Sequence, residues 1–135
     1  MDQLPNSQTA TNKPRVLIID DDMYDSEMYS MSLESAGYDV DVATDGGYGY
    51  KLLTQNNYDV VLLDLMLPIM SGSEILEKWR KDHPKGPIPK IIILTNYEQN
   101  DKARGYLAGV ADRYIIKASI TPSNLRSHIA QVLES

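Results

Sequence analysis

The chain has 135 residues, no cysteine and a formal net charge of −6. This length suits one ordinary domain, and the lack of cysteine excludes disulfides, thiolate zinc sites and thiol nucleophiles. The acidic balance argues against direct nucleic-acid binding through a basic face. No apolar run approaches the ~20 residues of a membrane-spanning helix. The first residues also lack the pattern of a secretory signal, so we expect a cytoplasmic protein.

The first segment differs in composition from the rest of the chain. Residues 1–14 are rich in Gln, Asn, Thr and Pro and show no periodicity, which predicts a flexible N-terminal tail before a single domain over residues 15–134. Within that domain, short apolar runs predict five strands: Val16–Ile19, Val40 with Val42, Val60–Leu63, Ile91–Leu94 and Tyr114–Ile116. Continuous β-branched runs of this kind are typical of strands covered on both faces.

Helical patterns separate these runs, over residues 24–36, 46–55, 73–82, 98–108 and 122–134. In the first helix, Tyr24, Met28 and Met31 form one apolar stripe. The second helix is the weakest, because Gly47 and Gly49 each cost about 1 kcal/mol relative to alanine, and we expect it to be short or mobile. Five strands alternating with five helices predict a doubly wound α/β fold, a parallel sheet with helices on both faces.

Polar side chains follow four of the predicted strands: Asp20, Asp21 and Asp22 after the first, Asp64 after the third, Thr95 after the fourth and Lys117 after the fifth. Functional sites of such folds lie at the carboxyl ends of the strands, so we expect these groups to converge. Clustered carboxylates repel unless a cation joins them, and oxygen ligands suit Mg²⁺. Beside a lysine and a hydroxyl, such a carboxylate can receive a phosphoryl group. Asp22 is better explained as a helix cap.

In order and spacing, these segments resemble the receiver domain of two-component response regulators, the CheY-like family, over roughly residues 15–134. The resemblance rests on four parts of the chain: Val16–Asp21, Leu63–Pro68 with Met70–Gly72, Leu94–Thr95 and Tyr114–Lys117. It implies a flavodoxin-like fold with the five parallel strands in the order 2-1-3-4-5.

The resemblance also implies a phosphorelay chemistry. Asp64 would accept a phosphoryl group from a phosphohistidine on a sensor histidine kinase or a histidine phosphotransfer protein. Asp20 and Asp21, with Asp64 and the backbone carbonyl of Met66, would bind Mg²⁺. Lys117 would pair with Asp64 or with its phosphate.

A further implication of the resemblance is a switch. Thr95 would move towards the phosphoryl group, and Tyr114 would turn inward with it. The helix 4–strand 5–helix 5 face would then change its affinity for a downstream protein target or for a second copy of the chain. Because no output domain follows Ser135 in this sequence, we expect a stand-alone receiver that acts through protein partners and does not bind DNA itself.

Two residues depart from the family pattern. Ala118 follows Lys117 where the family has proline across a cis bond, and a cis bond before a non-proline residue costs ~2.5–4 kcal/mol. We therefore predict a trans bond between Lys117 and Ala118. Asn96 follows Thr95 where the family prefers a small Ala or Ser.

Two other functions compete with this interpretation. A haloacid-dehalogenase-like phosphatase also uses an aspartate nucleophile at a strand end with Mg²⁺, but Met66 stands where that family has a second acid. A pseudo-receiver would serve only as a scaffold, yet every expected site residue is present. We therefore expect a phosphoacceptor and not an enzyme that acts on other molecules.

Overall fold

The computed structural model describes residues 13–84, 89–96, 105, 107 and 109–135. Five strands form one parallel sheet: β1 (Arg15–Ile19), β2 (Asp39–Ala43), β3 (Val60–Leu63), β4 (Lys90–Thr95) and β5 (Arg113–Ile116). Their order across the sheet is β2-β1-β3-β4-β5. The predicted strands, the parallel sheet and the order 2-1-3-4-5 are confirmed.

The helices with defined bounds are α1 (Met23–Ser35), α2 (Gly46–Gln55), α3 (Gly72–Asp82) and α4 (Pro122–Glu134), and a short 3₁₀ helix (Lys117–Ser119) follows β5. Most of the helix predicted over residues 98–108 lies outside the described residues, although residues 105, 107, 109 and 110 are helical. The predicted tail also lies outside them, except for residues 13 and 14. Within the described part of the chain, every helix is too short or too polar to cross a bilayer.

Two apolar cores cover the two faces of the sheet. Alternate residues of each strand point to opposite faces, and β1 shows this clearly: Leu17 and Ile19 belong to one core, Val16 and Ile18 to the other. The first core is completed by side chains of α2 and α3, namely Tyr50, Leu53, Ile75, Leu76 and Trp79. The second is completed by side chains of α1 and α4, namely Tyr29, Leu33, Leu125, Ile129 and Val132. This layering is the doubly wound arrangement that the alternating pattern predicts.

The orientation of α1 differs from the predicted one. The stripe of Tyr24, Met28 and Met31 faces solvent, with Tyr24 90% exposed. The helix instead buries Tyr29 and Leu33 against the sheet. The exposed set and the buried set both have helical spacing, so periodicity alone does not show which one faces the sheet. Packing against the strands decides it.

Glycines allow α2 to pack closely. The helix spans Gly46–Gln55, as predicted, and with 10 residues it is the shortest of the four helices with defined bounds. A Cβ atom on Gly46 would lie 1.7 Å from the carbonyl oxygen of Met70, and one on Gly49 would lie 2.7 Å from the side chain of Ile19. The intrinsic cost of glycine in a helix is therefore offset by contacts that no larger residue could make. Whether α2 is mobile stays a prediction.

Candidate functional site

Four of the parallel strands end beside one another, and the predicted site residues meet at this edge. Carboxylate oxygens of Asp20, Asp21 and Asp64 all lie within 4.8 Å of one another. The ammonium group of Lys117 and the hydroxyl group of Thr95 both contact the carboxylate of Asp64. The structure therefore brings together five of the six side chains that the sequence placed at strand ends, all except Asp22.

Asp64 is buried and its carboxylate is fixed from three directions. Oδ1 accepts a hydrogen bond from Thr95 Oγ1 at 2.6 Å and another from the backbone N–H of Met66 at 3.2 Å. Oδ2 lies 3.1 Å from Lys117 Nζ. The loop after β3 approaches closely, since a Cβ atom on Gly72 would lie 2.3 Å from the carbonyl oxygen of Asp64. The chain thus presents Asp64 in one defined orientation.

Asp20 is the second buried carboxylate of the site. Its Oδ1 accepts a hydrogen bond from the backbone N–H of Asp22 at 2.9 Å, and its Oδ2 lies 2.8 Å from Lys117 Nζ. Burial raises the pKa of Asp20 to about 6, although the hydrogen bond and charge of Lys117 act in the opposite direction. Such a raised pKa marks a carboxylate held where negative charge is crowded and water is scarce. Asp22 itself caps α1 by accepting a hydrogen bond from Asp25 N–H, as predicted.

Lys117 is the cation of the cluster. Burial acts to lower the pKa of Lys117, but the hydrogen bonds and charges of the surrounding carboxylates outweigh it and the net pKa is raised. One of these carboxylates belongs to Asp25, whose Oδ2 lies 3.0 Å from Nζ. Sequence reasoning missed Asp25, which lies in the first turn of α1 and in no strand-end motif. The sequence feature that could have indicated Asp25 is its position, three residues after the helix cap Asp22.

The donor set of this cluster fits Mg²⁺. The ligand atoms are carboxylate oxygens, the type that Mg²⁺ prefers, and Asp20, Asp21 and Asp64 would hold the ion. Asp21 is exposed, which leaves room for the water ligands that Mg²⁺ retains. The part predicted for the backbone carbonyl of Met66 stays a prediction; its N–H points to Asp64.

The predicted switch residues lie on one face of the sheet. Tyr114 is half-buried and packs against the first core, which contains Ile91 and Ile93 of β4. Because side chains alternate along a strand, Thr95 points to the same face as Ile91 and Ile93. This placement suits the predicted coupling of Thr95 with Tyr114, and the movement itself stays a prediction.

Asn96 and Ala118, the two residues that depart from the family pattern, contact each other. The backbone N–H of Ala118 donates a hydrogen bond to Asn96 Oδ1 at 2.9 Å. Proline has no N–H to donate, so the side chain of Asn96 satisfies a group that exists only because Ala118 replaces proline. The described part of the chain has no cis peptide bond, which confirms the trans bond predicted between Lys117 and Ala118. Lys117 nevertheless reaches Asp64.

Comparison with known proteins indicates the same family as the site residues do. The family model described as the response regulator receiver domain matches residues 16–130. The chain belongs to this family. Among curated proteins, the chain is 39% identical over 119 residues to the DNA-binding dual master transcriptional regulator RpaA of Synechocystis, a match that covers 88% of this chain and 47% of that protein. The chain thus spans about half the length of the curated relatives that it matches, and the expectation of a stand-alone receiver stays a prediction.

Solved receiver structures share the fold. A CheY-like receiver domain protein from Methanospirillum hungatei has a TM-score of 0.80 at 32% identity, covering 91% of this chain and 95% of that one. The response regulator TrrA of Thermotoga maritima, solved in complex with Mg²⁺ and BeF, has a TM-score of 0.73 at 32% identity, covering 87% of this chain and 97% of that one. These likenesses support the receiver fold.

Proposed function

We propose that this receiver accepts a phosphoryl group on Asp64 and passes on its phosphorylation state through protein contacts. One observation carries the proposal: a buried carboxylate at a strand end is contacted by both the ammonium group of Lys117 and the hydroxyl group of Thr95, inside an acidic cluster. An isolated buried carboxylate would be costly, and these partners are the groups that phosphoryl transfer needs.

The proposed donor is a phosphohistidine of a sensor histidine kinase or a histidine phosphotransfer protein. A carboxylate oxygen of Asp64 attacks phosphorus in line, the P–N bond breaks, and its electron pair stays on the imidazole nitrogen as the new P–O bond forms. Lys117 and Thr95 would donate hydrogen bonds to the phosphoryl oxygens. Mg²⁺, held by Asp20, Asp21 and Asp64 with the predicted Met66 carbonyl, would supply positive charge to the transferring group.

The proposed output is a change of partner. Thr95 would follow the phosphoryl group and Tyr114 would turn inward, which would alter the face formed by β5, α4 and the helix predicted over residues 98–108. That face would then bind a downstream protein or a second copy of the chain. The RpaA relative is named as a DNA-binding regulator, and we propose that this segment itself contacts proteins. The proposed setting is the cytoplasm.

Intact mass spectrometry tests the phosphoacceptor directly. The protein is incubated with acetyl phosphate and Mg²⁺, and we expect it to gain the mass of one phosphoryl group. Asp64→Asn should gain nothing, because the nucleophilic carboxylate is gone. Asp39→Asn is a matched control at the opposite end of the sheet and should be labelled like the wild type. A wild type that stays unmodified, or an Asp64→Asn protein that is still labelled, would refute the proposal.

The same samples test the competing enzyme. A receiver loses its phosphoryl group only by slow autodephosphorylation, so we expect turnover of p-nitrophenyl phosphate to be no faster than the decay of the labelled protein. Turnover much faster than that decay, and lost in Asp64→Asn, would instead favour a phosphatase.

A further inference from the structure

The ammonium group of Lys117 lies among three carboxylates. Its Nζ lies 2.8 Å from Asp20 Oδ2, 3.0 Å from Asp25 Oδ2 and 3.1 Å from Asp64 Oδ2. The contact with Asp25 is a hydrogen bond, and it occupies one of the three N–H donors of the ammonium group. Two of the contacts belong to the proposed phosphorylation chemistry, but the contact with Asp25 has no part in it.

Asp25 differs from the other two carboxylates in position and exposure. Its side chain is 27% exposed, whereas those of Asp20 and Asp64 are 4% and 8% exposed. An acid in the first turn of a helix is already favourable near the positive end of the helix dipole, and α1 has its own cap in Asp22. The helix therefore does not need the contact that Asp25 makes with Lys117, which is 92 residues away in sequence.

We propose that Asp25 is a positioning residue that restrains Lys117 and thereby slows phosphoryl transfer to Asp64. The inference rests on the proposed function and adds a control on its rate. A phosphoryl group on Asp64 needs hydrogen bonds from Lys117, and Asp25 occupies one of the donors.

The test is the initial rate of labelling by acetyl phosphate at saturating Mg²⁺, read by intact mass. Asp25→Asn keeps the size of the side chain and removes its charge, and we expect labelling to be about three- to tenfold faster. A purely structural role predicts the opposite sign, slower labelling of a less stable protein. Urea unfolding of each variant verifies that it is folded. Asp25→Glu keeps the charge and should remain slow.

Two comparisons separate restraint of Lys117 from a general charge effect. Glu27→Gln makes the same charge change at an exposed position of the same helix and should leave the rate unchanged. In a Lys117→Gln background, Asp25→Asn should add little, because its effect passes through the ammonium group. An equal acceleration in that background would overturn the positioning role.

The outcomes also separate the two proposals. If the wild type is labelled and Asp25→Asn is labelled at the same rate or more slowly, the restraint is wrong and the phosphoacceptor function stands. If the wild type takes up no phosphoryl group, the proposed function fails and the restraint falls with it.

Discussion

Ile69 lies in the loop between β3 and α3 with a backbone φ of 74°. In this left-handed region the Cβ atom of an L-residue approaches the following carbonyl oxygen, which costs about 1–2 kcal/mol, and a β-branched residue is seldom found there. The side chain gains little in return, because it is 83% exposed. The loop between β3 and α3 therefore contains backbone strain at Ile69.

Glycine at this position should relieve the strain. We expect Ile69→Gly to raise the free energy of unfolding by about 1 kcal/mol, the relief of left-handed strain less the entropy lost by ordering glycine. Urea unfolding monitored by the fluorescence of Trp79 measures the change.

Substitution of Ile69 by alanine separates the effect of backbone strain from the effect of an exposed apolar side chain. Ile69→Ala also removes the exposed apolar side chain but keeps the Cβ atom, so it should gain clearly less than Ile69→Gly. Equal stabilisation by the two substitutions would mean that the backbone conformation is not the cause.

At the residue scale, sequence reasoning identified the groups that lie at strand ends and missed those that enter from elsewhere. Asp20, Asp64 and Lys117 follow apolar runs, and parallel pairing alone brings such positions to one edge. Asp25 reaches Lys117 by the direction of its side chain, which depends on how α1 packs. The pairing of Asn96 with Ala118 was not predictable from two separate departures in the sequence.

At the scale of elements, the strands were predictable and the helix faces were less so. A strand buried on both faces is recognisable as a continuous apolar run, and β1, β3 and β4 all show one. In α1, two apolar sets compete at the same spacing, and contact with the sheet selects Tyr29 and Leu33. In α2, glycine indicated weakness locally, whereas the tertiary structure uses it for close approach.

The contact between α2 and α3 contains a hydrogen bond whose strength depends on pH. Tyr50 OH donates to Asp82 Oδ2 at 2.6 Å, and this bond is the main cause that lowers the pKa of Asp82 below its ordinary value of 3.8. A group with a lowered folded-state pKa adds stability above its unfolded pKa and loses that contribution as the pH falls through the folded value.

Removing the hydroxyl group tests this bond. Tyr50→Phe should lower the urea midpoint at about pH 7, and the difference from the wild type should shrink as the pH falls below about 4 and Asp82 is protonated. In an Asp82→Asn background, the difference should be small and independent of pH. A difference that stays constant from neutral pH to acid would contradict the role of the charged acceptor.

At the scale of the whole molecule, the proposed metal ligands lie close together only when the domain is folded. Asp20 and Asp21 follow β1 and Asp64 follows β3, and the pairing of β1 with β3 in register brings them together. An unfolded chain does not hold these carboxylates within reach of one ion. A cation that binds the cluster therefore binds the folded state selectively, and its binding free energy adds to the stability of the entire domain.

Magnesium should therefore stabilise the chain against global unfolding, without any phosphodonor. Above the dissociation constant, each tenfold rise in Mg²⁺ concentration should add about 1.4 kcal/mol to the free energy of unfolding. The measurement is urea unfolding over a range of MgCl₂ at constant ionic strength. Glu27→Gln, at an exposed position of α1, should respond like the wild type. Asp20→Asn should respond only at much higher concentrations, because it removes a buried oxygen ligand. An equal response of Asp20→Asn and the wild type would place the ion elsewhere, because a ligand of the bound ion cannot be lost without loss of affinity.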